Sequence, residues 1–279
     1  MTSQGLFRAD FLLDQCRLTG PVLGLETGGP QASLALSSHG KIIAADTPAR
    51  RAHGESIVGA VDGLLHRSGL RLRDLTAIAV GIGPGSFTGL RIALSYAKGV
   101  ALATGCGVAG VPSLDALALC ALELSDLPPE AMLCPILDAR KGEVYAALYR
   151  RVENGLEKVS GEFLAKPGDL ARRLEGAAVF FGDGAACYGD LLNGVAGRDH
   201  RVLTDFSAAP PPAAMIAALG AARVSRGQLD AAASLQPLYV RPSEAELKAK
   251  CPAGDAGLEA LWSREKKSSS ANTQTTTRS

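Results

Sequence analysis

The sequence predicts an α/β fold made of two similar lobes, each a mixed sheet flanked by helices. Three observations carry this. Three short apolar segments follow one another at hairpin distance, the pattern of an antiparallel meander. Helical and strand patterns then alternate, which adds parallel strands covered by helices. Finally the opening returns: with Glu26 set on Asp138, 112 residues on, GLETGGPQASLAL falls on ILDARKGEVYAAL without a gap and with matching apolar positions. A chain of 279 residues has room for two domains of ordinary size.

The first strand is PVLGLET (21–27). QASLALSS (31–38) follows a Gly-Gly-Pro turn, and KIIAAD (41–46) follows Ser38-His39-Gly40. Ile57, Val58, Val61, Leu64 and Leu65 form the stripe of an amphipathic helix over 55–68. TAIAVGIG (76–83) is unbroken apolar sequence, as in a strand buried on both faces. A glycine-rich corner and a helix from about Gly89 to Thr104 come next, then the strand GVAGV (107–111). Ser113 and Asp115 signal the start of a helix whose apolar body runs to Leu124. The second lobe opens with MLCPILD, a tight turn and EVYAALY, and AAVFFGDGA (177–185) answers TAIAVGIG. The expected divisions are an N-terminal extension (1–20), a first lobe (21–125), a second lobe (126–249) and a polar, disordered tail (250–279) ending in KKSSSANTQTTTRS.

Hydrophobic residues make up 47% of the chain and aromatics 5%, so the core must be aliphatic. Lys plus Arg number 29 against 28 for Asp plus Glu, a net of +1. A protein that gripped a nucleic acid backbone alone would show a basic excess. Any RNA contact is therefore expected to be local or made through a partner. The six cysteines (Cys16, Cys106, Cys120, Cys134, Cys187, Cys251) are scattered, which reads as reduced thiols of the cytoplasm. Arg8, Asp10, Asp14 and Arg17 interrupt the first apolar stretch, so no signal peptide is expected. The uncharged runs between Lys98 and Asp115 and between Phe206 and Arg223 are too short, or too rich in Gly and Pro, to span a membrane.

The candidate site is the corner Gly83, Pro84, Gly85, Ser86, Phe87, Thr88, Gly89, with Arg91 the nearest cation. Ser86 or Thr88 can cap the helix behind it, and free N–H groups at a helix start suit an anion. The segment matches neither the P-loop nor the dinucleotide fingerprint. Spacing alone leaves two readings open, a vestigial phosphate site and a structural corner. In the helix itself Leu90, Ile92, Ala93, Leu94, Ala97, Val100, Ala101 and Leu102 leave only Arg91, Ser95, Tyr96 and Lys98 for water. Such a helix is buried in its own core or covered by another chain. His39, His53, His66 and His200 show no ligand spacing, so no metal site is expected. Asp138, before ARKGE, shapes a turn or faces a metal-bound phosphate. No G-x-S-x-G or comparable nucleophile pattern is present, and no catalytic residue is assigned. The pairs Arg50-Arg51, Arg140-Lys141, Arg150-Arg151 and Arg172-Arg173 read as solvated surface, with a shared RNA track the minority alternative.

With LGLETGGPQASLAL, HGESIVGAVDGLL, AIAVGIGPGSFTGLRIALSYAKGVALATG, GVPSLDALA, ILDARKGEVYAALY and PLYVRPSEAE in this order, residues 22–246 resemble the TsaB family. The resemblance implies an actin-like ATPase (ASKHA, RNase H-like) fold and a non-catalytic role in bacterial synthesis of threonylcarbamoyladenosine in tRNA. The implied partners are TsaD in a heterodimer, TsaE docked on that pair, and tRNA through the complex; for the isolated chain a homodimer and a monomer both stay open. The implied pairing surface comprises Glu55, Ile57, Val58, Val61 and Leu65 on one helix and Leu90, Ala93, Leu94, Ala97 and Ala101 on the next. No cofactor or metal belongs to this chain, and an adenine nucleotide is expected at most at the partner interface. Two departures argue further against a nucleotide in the cleft. Glu26-Thr27-Gly28 stands where the family has an aspartate with hydroxyl residues, and His53-Gly54-Glu55 stands for His-Ser-Glu. The rival expectations are a peptidase or autonomous ATPase of the same fold, and a homodimeric interaction module.

Overall fold

In the computed structural model, which describes residues 6–7, 18, 20–48, 57–124, 127–153, 155–195 and 199–241, the chain forms two sheets. The first is built from β2 (Val22–Glu26), β3 (Ser33–Ser38), β4 (Lys41–Asp46), β5 (Ala77–Gly83) and β6 (Gly107–Pro112), in the order β4-β3-β2-β5-β6. The hairpin strands are antiparallel, and β5 and β6 join in parallel. In the second sheet β7 (Met132–Asp138) has β9 (Tyr149–Val152) and β10 (Gly155–Lys158) on one side. On its other side lie β12 (Ala178–Phe181) and β13 (Arg201–Leu203). A short β1 (Leu6–Phe7) pairs with β10, and β8 (Val144–Ala146) with β11 (Phe163–Ala165) extends β7.

The path β10-β9-β7-β12-β13 repeats the first sheet strand for strand, with the same pattern of antiparallel and parallel neighbours. The sequence echo is thus an echo of topology. Its spacing is lost past the hairpins because the crossovers differ in length: helix α1 (Ile57–Arg67) has 11 residues and its counterpart α4 (Pro167–Arg173) has 7.

The remaining helices are α2 (Phe87–Thr104), α3 (Ser113–Leu122), α5 (Asp183–Val195) and α6 (Pro212–Ser225). Each strand shows alternate residues to its two sides, and this stacks the molecule in five layers. Leu23, Leu25, Ile78 and Val80 pack on Val61, Leu64 and Leu65 of α1 and on Ala93, Leu94 and Ala97 of α2. Cys134, Ile136 and Phe180 pack on Leu170 of α4 and on Ala185 and Leu192 of α5. Between the sheets, α3 and α6 share one cluster with Val22, Ala77 and Ala79 of the first sheet and Leu133, Val179 and Phe181 of the second. Neither helix has a wet side: Ser113–Ala121 and Ala213–Ala222 are buried without a break.

The layering corrects the expectation that 126–249 forms the second lobe by itself. Helix α6 packs on β2, β3 and β5, because the faces of Val22, Ala77 and Ala79 need more apolar cover than α3 alone supplies. The chain then stays on the first lobe. The Asp230 N–H donates to the Val108 carbonyl, its carboxylate accepts from Gly110 N at 2.7 Å, and Leu238 N donates to Ile82 O at 2.7 Å. Arg241 finally pairs with Glu143 of the second lobe.

One charged group is built into the middle layer. Asp115 of α3 is 7% exposed and accepts from the Tyr149 hydroxyl and from Lys158 Nζ, both at 2.6 Å. Lys158 also reaches Glu162 at 2.5 Å. Burial alone would lower the Lys158 ammonium, but these two carboxylates outweigh it and hold the proton above its ordinary range.

Candidate functional site

The glycine corner follows from how closely it approaches the turn after β2. A side chain at Gly85 would lie 2.5 Å from the Gly28 carbonyl oxygen, and one at Gly89 would lie 2.1 Å from that of Thr27. Gly83 has φ +100°, which L side chains rarely adopt. The Thr27 hydroxyl donates to Gly89 O at 2.9 Å, and Ser86 N donates to Gly28 O at 2.7 Å. Ser86 is the N-cap: its hydroxyl accepts from Gly89 N, and α2 therefore starts at Phe87. The close contacts account for Gly85 and Gly89 as a packed corner. Arg91 lies with its guanidinium 3.7 Å from the centre of the Phe87 ring, and Tyr239 packs on that ring at 5.7 Å.

The structure sorts the expected pairing residues by helix face. Val61, Leu65, Ala93, Leu94 and Ala97 are buried against their own sheet, and Leu90 is buried against Gly28 and Gly83 of the corner. This corrects their assignment to a partner surface: they are the inward stripe that holds α1 and α2 on the lobe. Ile57 and Ala101 are half-buried, and Glu55 lies outside the described residues, as do His53, Cys16, Cys251, Arg50 and Arg51. Among the described members of the expected set only Val58 is turned outward, at 47% exposure. Beyond Phe87, Thr88 and Arg91 at its start and Thr104 at its end, the residues that face out along α2 are Ile92, Ser95, Gly99, Leu102 and Ala103, at helical spacing. Leu102 is 90% exposed. Gly59 and Gly99 have open space where a side chain would stand. Ile92 and Leu102 were legible as part of an all-apolar helix; a helix with no polar side gives no sign of which side turns inward.

The third feature is the cleft between the lobes. Glu26, at the end of β2, is 4% exposed, and its Oε1 accepts from Gly28 N at 2.6 Å. Burial raises its carboxyl above the ordinary value, against the opposing pull of Ser113 and the Gly28 and Thr27 backbones. Asp138, its topological counterpart, closes a turn: Oδ1 accepts from Arg140 N at 2.9 Å and from the Tyr188 hydroxyl at 3.0 Å. Of the two readings of Asp138, the turn is the one seen. Asp183, at the start of α5, accepts from Asp138 N, and burial raises it as well.

Elsewhere, His39 lies in the β3–β4 turn at φ 49° and His66 near the end of α1. His200 sets its ring edge-on to Phe180. Among the described residues, no three His, Cys, Asp or Glu gather as metal ligands would. Cys120 and Cys134 are buried and their thiols are pushed up by desolvation, which suits packing rather than reaction. Arg140, Arg150 and Arg172 are exposed and paired with Asp138, Glu157 and Asp169, while Arg151 turns to the Leu127 carbonyl.

The family model described as TsaD, tRNA N6-adenosine threonylcarbamoyltransferase, matches residues 45–249. The tRNA threonylcarbamoyladenosine biosynthesis protein TsaB of Escherichia coli (strain K12) is 32% identical over 226 residues, 79% of this chain and 94% of its own. The Bacillus subtilis (strain 168) protein of the same name is 28% identical over 231 residues, covering 81% and 96%. Among solved structures, YeaZ from Pseudomonas aeruginosa aligns with a TM-score of 0.64 at 26% identity, covering 79% of this chain and 99% of that one.

Proposed function

The chain belongs to the TsaB group of the TsaD family, with an actin-like fold, and from that premise we propose that it is the non-catalytic partner subunit in threonylcarbamoyladenosine synthesis on tRNA. In this reading it pairs with TsaD, TsaE joins the pair, and tRNA is engaged through the assembly. The transfer chemistry lies on TsaD, at the adenosine beside the anticodon.

One observation carries the reading. The outer side of α1 and α2 presents Val58, Ile92 and Leu102 to solvent beside two glycines, Gly59 and Gly99, whose side-chain space is open. Apolar side chains next to bare backbone allow close helix-on-helix contact, and such a face gains most when another chain covers it. In the absence of TsaD, this reading has the same face take a second copy of the chain. An adenine nucleotide, where one takes part, belongs at the partner interface.

No described helix is long and apolar enough to cross a membrane, in keeping with work on tRNA in the cytoplasm. The test is reconstitution. Threonylcarbamoyl transfer to tRNA is measured with the synthase, TsaD and TsaE, with and without this chain. The reading requires transfer to depend on it, and requires this chain alone to hydrolyse neither casein nor ATP.

A further inference from the structure

The cleft between the lobes encloses a cavity of about 580 Å³, within the range of small-molecule sites. Two properties of its wall decide what fits. Its charged residues are Glu26 and Asp183, and among the described residues no lysine, arginine or histidine lines it. A phosphate or carboxylate entering would lose hydration beside two carboxyls and gain no cation in return. The second property concerns Glu26 itself. Its Oε1 is taken by the Gly28 N–H, while Oε2, tucked over Gly81, has no hydrogen-bond partner. A buried carboxyl oxygen without a donor is uncommon in a folded protein. The rest of the wall includes Leu117, Leu137, Phe206 and a run of prolines, an apolar lining suited to a flat ring.

We propose that this cleft binds a small phosphate-free organic molecule, a planar ring system whose amine or amidine group donates toward Glu26 and Asp183. The ring lies against the Leu117 and Phe206 side, and the donor faces the two acids. Burial holds both carboxyls above their ordinary values, and an incoming N–H donor or cation relieves that by favouring the ionised forms. The site does not depend on the pairing surface. Helices α1 and α2 cover the opposite side of the first sheet, so the two can fail separately.

The probes are two matched pairs: benzamidine with benzoate, and adenosine with AMP, each titrated into the full chain by calorimetry and saturation-transfer NMR. Benzamidine is expected to bind at least about tenfold tighter than benzoate, and adenosine at least about tenfold tighter than AMP. Ala186, an exposed residue on the rim, is changed to Trp to plug the cleft. Ala186→Trp should abolish binding of both favoured probes with an unchanged melting temperature. Glu26→Gln should weaken benzamidine by about fivefold or more, through loss of a charge partner. Three outcomes overturn the proposal: AMP or benzoate binding as tightly as its counterpart, no binding by either favoured probe, or binding that survives Ala186→Trp. Co-elution with TsaD, run in parallel, reports on pairing alone.

Discussion

Gly220 of α6 lies directly on Ala79 of β5: a side chain at 220 would begin 2.2 Å from the Ala79 Cβ. Gly24 of β2 makes the reciprocal approach, with its missing side chain 2.3 Å from the Ala213 carbonyl oxygen. Helix and sheet therefore meet backbone to backbone. Gly220→Ala forces them apart and should cost about 1–3 kcal/mol by overpacking. Gly99→Ala is the contrast, because its side-chain space is open and it sits mid-helix. There the change should stabilise by about 0.5–1 kcal/mol. Thermal or urea denaturation of both variants reads the two signs.

Two neighbouring positions on α2 should separate folding from pairing. Ala97 is fully buried and Ile92 is half-exposed. Ala97→Glu places an unpaired charge in the core and should cost more than about 4 kcal/mol. Ile92→Glu should change stability by no more than about 0.5 kcal/mol, yet end co-elution with TsaD on gel filtration. A folded Ile92→Glu protein that still co-elutes would remove the outer face from the proposal.

Lys158→Met leaves Asp115 buried with only the Tyr149 hydroxyl. Breaking one side of such a buried pair should cost about 3–5 kcal/mol. Adding Asp115→Asn should recover part of the loss, since the charge is gone and the amide oxygen still accepts from Tyr149. A double-mutant cycle in denaturant measures the coupling.

Glu26 should leave a signature in pH. Its folded carboxyl holds the proton above the ordinary 4.5, so the native state binds that proton more tightly than the unfolded chain. Its contribution favours folding at low pH and is lost as pH rises through the raised value. Between about pH 5 and about pH 8 the wild type should therefore lose more melting temperature than Glu26→Gln does. Parallel curves for the two proteins would mean that Glu26 ionises as an exposed carboxylate.

Much of the frame was readable in advance. The hairpin strands carry period-2 sequence between turn residues, α1 carries a clean 3.6-residue stripe, and the Glu26–Asp138 alignment found the repeated topology. Other features escaped for physical reasons. Helix α6 is Ala-rich and apolar on every side because it is covered on every side, so no periodicity marks it; Pro212 at its first turn was the available signal. The orientation of α2 was hidden in the same way, which put Ala97 on the wrong side. The acidity of the cleft comes from Glu26 and Asp183, residues far apart in sequence that only folding brings to one cavity. The Phe87–Tyr239 contact joins the corner to PLYVRPSEAE, a motif whose place in the molecule no spacing rule supplies.

The middle layer also has a consequence for biosynthesis. The helix that gives the inner side of the first sheet most of its cover is the last one among the described residues, at 212–225. A ribosome that has made only the first 125 residues has produced every strand of that sheet, and α3, but not the helix that supplies most of its cover. The nascent lobe must wait, its greasy side largely bare, until residues 212–225 have been made. Severed at 125/126 and expressed as separate fragments, the amino-terminal piece should precipitate unless the carboxy-terminal piece is supplied with it.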